Sequence, residues 1–388
     1  MLARPLSSSA AGASRVCSTS ATTPAPTRSL AVAARGYATA ASIPSRPRSS
    51  AGREITIVEV GPRDGLQNEK RAISAATKLE LISRLADAGL RRQETGSFVN
   101  PKAVPQMTST ADVLAGMGPV TSKYPDFQSI VLVPNAKGMD LYLDTIRKLE
   151  GSQTRSPADE IALFAAASES FSQANTRCSI AESVKRFEKV TEQARAAGVR
   201  MRGYVSVAAG CPFEGAVDPK VVASLTRDML DLGCFEVSIA DTIGIGSPAT
   251  IENVLNALAA AGIPFDKLAA HCHDTFNTGL ANTLTMVNCG IPSVDAAIGG
   301  LGGCPFSPGA TGNLATEDAV FALRREGYTI AGLPSTNPDE PIDGSLESLA
   351  EIGAWISAEL EKPNASNVGK AVLSKRERRL AQAQQARL

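Results

Sequence analysis

Histidine is almost missing from this chain: there are two in 388 residues, His271 and His273. No stretch reaches the ~18 apolar residues that a membrane-spanning helix needs, so no membrane association is expected. Net charge is zero. Without a basic excess, nucleic acid is not expected as a partner either. Seven cysteines are present, but none forms a Cys-x-x-Cys pair, and a disulfide framework or structural zinc is not expected. No Gly-x-Gly-x-x-Gly follows the first strand, which argues against a doubly wound nucleotide fold.

Another absence is local. Between Met1 and Arg53 there is no Asp or Glu, while arginines stand at 4, 15, 28, 35, 46, 48 and 53 among Ser, Ala and Thr. That composition predicts a mitochondrial transit peptide and, with it, a matrix location. A secretory signal would need a continuous apolar core. A disordered basic tail is the competing reading. Arg35-Gly36-Tyr37-Ala38 resembles a matrix-processing site. The terminal Ala386-Arg387-Leu388 resembles a variant peroxisomal signal, which would imply a second, minor pool.

From Glu54 strands and helices alternate. Strands are expected at 55–60, up to about Glu94, and at 129–133, 161–165, 201–207, 235–240, 267–272 and 293–298. Helices are expected from Ser74, from the capping box Ser179-Ile180-Ala181-Glu182, over 221–232, from Ser247-Pro248, over 278–288 and from about Leu314. Eight such units in roughly 270 residues predict an α/β fold, a (β/α)8 barrel, with additional C-terminal helices. The expected division is 1–50 for transit peptide and linker, 51–330 for the barrel, and 331–388 for a helical extension and basic tail. Arg91-Arg92-Gln93 is unusually polar for a strand. Residues 151–160 read as a surface insertion.

Active sites in this fold lie at the carboxyl ends of the strands. His271 and His273 flank Cys272 at one such end, and alternation points both imidazoles the same way. Asp64 follows the first strand, Glu94 the second and Asp241 the sixth. Asn313 follows the glycine-rich stretch after the eighth. Asp64, His271, His273 and Asn313 form a candidate ligand set without thiolate, which favours Mg2+ or Mn2+. Taken singly, Asp64 also suits a turn and Asn313 a helix N-cap. Arg63 is a candidate for stabilising a carbonyl oxygen that becomes an enolate. Cys304, among six glycines between Gly299 and Gly312, is a candidate proton carrier.

These residues sit in longer runs. Val58-Glu59-Val60-Gly61-Pro62-Arg63-Asp64-Gly65-Leu66-Gln67-Asn68-Glu69-Lys70 is one. Others are Ser97-Phe98-Val99-Asn100-Pro101-Lys102, Val104-Pro105-Gln106-Met107, Arg202-Gly203-Tyr204-Val205-Ser206, Asp241-Thr242-Ile243-Gly244, His271-Cys272-His273-Asp274-Thr275 and Gly302-Gly303-Cys304-Pro305. Together they resemble the 3-hydroxy-3-methylglutaryl-CoA lyase family over about residues 54–327. The resemblance implies a metal-dependent lyase that cleaves that acyl-CoA to acetoacetate and acetyl-CoA, as a homodimer. It implies cation ligands at Asp64, His271, His273 and Asn313. Catalytic positions are implied at Arg63, Glu94, Asp241, His271 and Cys304, substrate contacts at Arg63 and Gln67, and a supporting carboxylate at Glu317. The proton acceptor is expected to be His271 or Asp241, and the enolate's proton donor Cys304. Asn277 departs from the family's usual glycine.

Two other readings compete. A condensing synthase of the same barrel group, of the homocitrate or isopropylmalate type, would favour Gly-Glu-Gln where Gly65-Leu66-Gln67 stands. A non-catalytic binding protein would have no need of the paired histidines.

Overall fold

The computed structural model describes residues 52–153, 155–303 and 312–386. The expected transit peptide, Cys304 and the last two residues lie outside them. In chain order the elements are β1 (Glu54–Glu59), α1 (Ala75–Asp87), β2 (Arg92–Ser97), α2 (Thr110–Ala115), α3 (Gly118–Lys123), β3 (Gln128–Leu132), α4 (Ala136–Leu149), β4 (Glu160–Ala166), α5 (Glu169–Thr176), α6 (Ile180–Ala196) and β5 (Arg200–Ser206). They continue with α7 (Pro219–Asp231), β6 (Glu236–Asp241), α8 (Pro248–Ala260), β7 (Leu268–Cys272), α9 (Gly279–Asn288), β8 (Ser293–Ala296), α10 (Thr316–Arg325), β9 (Thr329–Ile330), α11 (Gly344–Glu359) and α12 (Asn367–Gln385). Strands β1 to β8 are all parallel and close on themselves through β8–β1 and β1–β2, while β9 adds to the start of β1. The fold is a (β/α)8 barrel.

Local chemistry sets the helix ends. Ser74 caps α1 by accepting from the Thr77 amide at 3.0 Å, and Leu81, Ile82 and Leu85 bury one face. Ser179 caps α6 at 3.1 Å from the Glu182 amide. The Glu182 carboxylate accepts from Arg186 at 3.1 Å instead of returning to Ser179, so only half of the expected capping box forms. In α8, Ile251, Val254, Leu255 and Leu258 are all buried. Asn277 adopts φ +59, a left-handed conformation that Asn tolerates best after Gly. That explains how it stands in for the usual glycine.

Strand parity explains the polar residues. In β2, Gln93 faces the helices and donates to the Ile82 and Leu90 carbonyls. Arg92 and Glu94 take the opposite parity and face the barrel interior. There Arg92 pairs with Glu160 and Glu236, and Arg202 with Glu236 at 2.6 Å and with Asp295. Such pairs contribute little net stability, but deleting one member costs about 3–5 kcal/mol because its partner is left buried and alone. Glu160 is fully buried and opens β4. The expected surface insertion over 151–160 is therefore too wide at its C-terminal end. Further differences are β8 ending at Ala296 rather than 298, α10 starting at Thr316, and the unexpected helices α2 to α5.

Candidate active site

The wide turn Gly61–Gly65 at the end of β1 presents Arg63 and Asp64 at the barrel mouth. Strand β7 delivers His271 beside them. The segment after Gly312 zips onto the end of β7: Leu314 donates to the Cys272 carbonyl at 3.1 Å, Asp274 to the Gly312 carbonyl at 2.9 Å, and His273 bridges Asn313. Cys272 turns to the other side and lies against Met286 of α9. One ligand atom each from Asp64, His271 and His273 lies within 4.8 Å of the others, and the imidazole centres are 5.3 Å apart.

The electrostatics suit a cation. Burial, and then the neighbouring His271, push the His273 pKa down to about 4, so the ring is neutral near pH 7. Its Nδ1 is buried with no hydrogen-bond partner among the described residues. A buried imidazole nitrogen without a hydrogen-bond partner, on a ring clustered with a carboxylate and a second imidazole, fits a metal ligand. Burial would raise the Asp64 pKa, but the Arg63 charge and the histidines outweigh it and hold the carboxylate ionised. The donor set is one carboxylate and two imidazoles. Asn313 stands beside it with its amide nitrogen toward Asp64. Its amide nitrogen donates to Asp64 Oδ2 at 2.8 Å and to the Leu301 carbonyl at 3.2 Å. Ligation by its oxygen requires the amide to turn over.

Arg63 bridges two carboxylates. It donates to Asp64 Oδ1 at 2.7 Å and from Nε to Glu94 Oε2 at 2.8 Å, and it lies 5.8 Å from the Tyr204 ring. Gln67 also reaches Asp64 Oδ1, at 2.5 Å. The polar run before Glu94 does not misdirect it, because parity aims it into the barrel. Burial raises its pKa against the pull of Arg63, and its Oε1 has no partner among the described residues.

Asp241 does not join this group. It pairs in register with Cys272 and so faces the helix layer. Its carboxylate accepts from the Gly246 and Ile245 amides at 2.9 and 3.2 Å and from Asn282 at 3.4 Å. As a proton acceptor at the site it is misplaced; it fastens the β6–α8 loop. Glu317 lies deeper. Its Oε2 accepts from the Gly299 amide at 2.9 Å, while Oε1 has no partner among the described residues and burial raises the Glu317 pKa to about 8.

Sequence reasoning missed two carboxylates. Asp295 of β8 accepts from Ser238 at 2.7 Å and lies 3.2 Å from His271 Nδ1. Alternation along β8 was the available signal. Glu59 accepts from the Gly61 and Ile298 amides, both at 2.9 Å, and from Thr316 at 2.6 Å. Burial raises its pKa to about 7.

A family model described as HMGL-like matches residues 54–338. The mitochondrial hydroxymethylglutaryl-CoA lyase of Bos taurus is 42% identical over 336 residues, 87% of this chain and 95% of that protein. A Pseudomonas aeruginosa protein named 3-hydroxy-3-isohexenylglutaryl-CoA/hydroxy-methylglutaryl-CoA lyase is 43% identical, over 83% and 98% of the two chains. The crystal structure of hydroxymethylglutaryl-CoA lyase from P. aeruginosa superposes with a TM-score of 0.73 at 41% identity, covering 84% of this chain and 99% of that one. A lyase from Acinetobacter baumannii, solved with coenzyme A and 3-methylmalate, gives 0.71 at 33% identity, over 82% and 95%.

Proposed function

The chain belongs to the hydroxymethylglutaryl-CoA lyase family, and from that premise we propose that it cleaves 3-hydroxy-3-methylglutaryl-CoA to acetoacetate and acetyl-CoA. One observation carries the site assignment: Asp64, His271 and His273 converge beside the Arg63–Glu94 pair at the carboxyl end of the barrel. With Asn313 they would hold Mg2+ or Mn2+. A divalent ion bound there would polarise the C3 hydroxyl and a carbonyl oxygen of the substrate.

The protein's own groups supply the rest. Glu94 is the proton acceptor that the geometry favours. It has a free oxygen and a raised pKa, whereas Asp241 faces the helices and the His271 ring is needed as a ligand. Glu94 takes the proton of the C3 hydroxyl. The C2–C3 bond breaks, its electrons pass to the thioester as an enolate, and the C3 oxygen becomes the ketone of acetoacetate. Arg63 stabilises the enolate oxygen, and Gln67 steadies Asp64 and the substrate. Cys304 returns a proton to C2. Glu317 braces the loop that leads to Cys304.

Relatives of the lyase type disfavour the condensing synthase. A role in leucine breakdown and ketone-body formation follows from the products. We place the protein in the mitochondrial matrix as a homodimer, matured near Ala38. Sequencing the N terminus of protein recovered from mitochondria tests the maturation, and an intact Met1 there would sink it. Release of acetyl-CoA from the purified enzyme, with chelator and then with added Mn2+, tests the activity. Turnover that ignores chelation would refute the metal, and condensation without cleavage would refute the lyase.

A further inference from the structure

We propose that Asp295 is a positioning residue that locks His271 in the Nδ1–H tautomer and thereby presents its Nε2 lone pair to the cation site. This rests on reading Asp64, His271 and His273 as metal ligands. His271 and Asp295 are register partners on the adjacent strands β7 and β8, so their side chains share the barrel interior. Asp295 is almost fully buried. Its Oδ1 accepts from the Arg202 guanidinium and its Oδ2 from the Ser238 hydroxyl at 2.7 Å. A carboxylate paired with a permanently charged arginine is acceptor only. His271 Nδ1, 3.2 Å from the same Oδ2, must then carry the hydrogen. A neutral imidazole has one N–H, so the lone pair is left at Nε2.

His273 is treated differently. Its Nδ1 has no hydrogen-bond partner among the described residues, and no carboxylate fixes its tautomer. One histidine is preset and the other is left to be oriented by the ion. Arg202 and Ser238 anchor Asp295 from β5 and β6, so four consecutive strands set the direction of one nitrogen. Carboxylate partners of this kind typically change metal affinity ten- to a hundredfold when removed.

The chain's two histidines make the test clean. The full chain, carrying no histidine tag, is labelled with 15N-histidine and kept metal-free at ~pH 8, above the usual histidine pKa. Long-range 1H–15N correlation then reports both tautomers, with the resonances assigned from His273→Asn. His271 is expected as Nδ1–H. In Asp295→Asn it should move toward Nε2–H, and the Mn2+ dissociation constant, read from the electron paramagnetic resonance of free Mn2+, should rise about ten- to a hundredfold. Ser293→Ala, which loses only a bond to Glu236 in the same interior, should change neither. An Nε2–H signal for His271 in the unaltered protein overturns the proposal whether or not the variant folds. So does a folded Asp295→Asn with unchanged tautomer and Mn2+ affinity within about twofold. Failure of the unaltered protein to take up Mn2+ would instead defeat the metal reading, and the tautomer would still be decided.

Discussion

Glu94 and Arg63 are neighbours with separable duties. Glu94 is hydrogen-bonded to Arg63 and is not one of the three clustered ligands. Glu94→Gln should therefore lower kcat by about 10²–10⁴ while Mn2+ affinity changes little. Steady-state kinetics and Mn2+ titration check this, and a variant that loses metal without losing turnover per bound ion would refute it. Cys304 lies outside the described residues, and its role rests on chemistry. A free thiol titrates near pH ~8.5, where a serine hydroxyl does not. Cys304→Ser should bind substrate nearly normally and lose most of its turnover. Alkylation followed by mass spectrometry provides the check, since modification of Cys304 should track lost activity. Cys272 supplies a control, because burial pushes its thiol pKa far up and it should react slowly.

At the scale of elements, α10 meets α12 through Asp318, which accepts from the Val368 amide at 2.8 Å, and holds the barrel mouth through Glu317. Its folded pKa is raised by burial to about 8, so the folded state holds a proton that the unfolded state releases above its ordinary carboxylate pKa. Stability from this group is fully present at low pH and is lost as pH rises through about 8. Thermal unfolding from pH ~6 to ~9 should show a falling melting temperature, with a flatter profile in Glu317→Gln. Identical slopes would remove Glu317 as the source. The eight strands were legible because parallel strands need apolar runs, and the first, second, sixth, seventh and eighth end beside polar or glycine-rich stretches. Arg92 and Glu160 looked like flaws in that pattern because pairing across a barrel interior joins residues distant in sequence. The same reason hid Asp295, whose partners come from β5, β6 and β7. The side of the sheet that Asp241 takes depended on register, and one residue of slip reverses it.

For the whole molecule, the buried site couples metal to folding. An ion held only by the folded chain stabilises it by about 2.7 kcal/mol at a hundredfold excess over Kd. Mn2+ should raise the melting temperature with a logarithmic dependence on concentration, and chelator should reverse the gain; a shift that saturates below stoichiometric ion would contradict it. One feature at the mouth reaches beyond this enzyme's own turnover. Gly302 and Gly312 lie backbone to backbone: a Cβ on Gly312 would stand 2.7 Å from the Gly302 carbonyl carbon, and Gly312 has φ +99. The barrel thus holds both ends of the Cys304 segment together before the segment itself contributes anything. Once the ends are joined, doubling what lies between them costs only about 0.6 kcal/mol of closure entropy. Changes of length between the two glycines should therefore leave the barrel's melting temperature nearly unaltered, whatever they do to turnover.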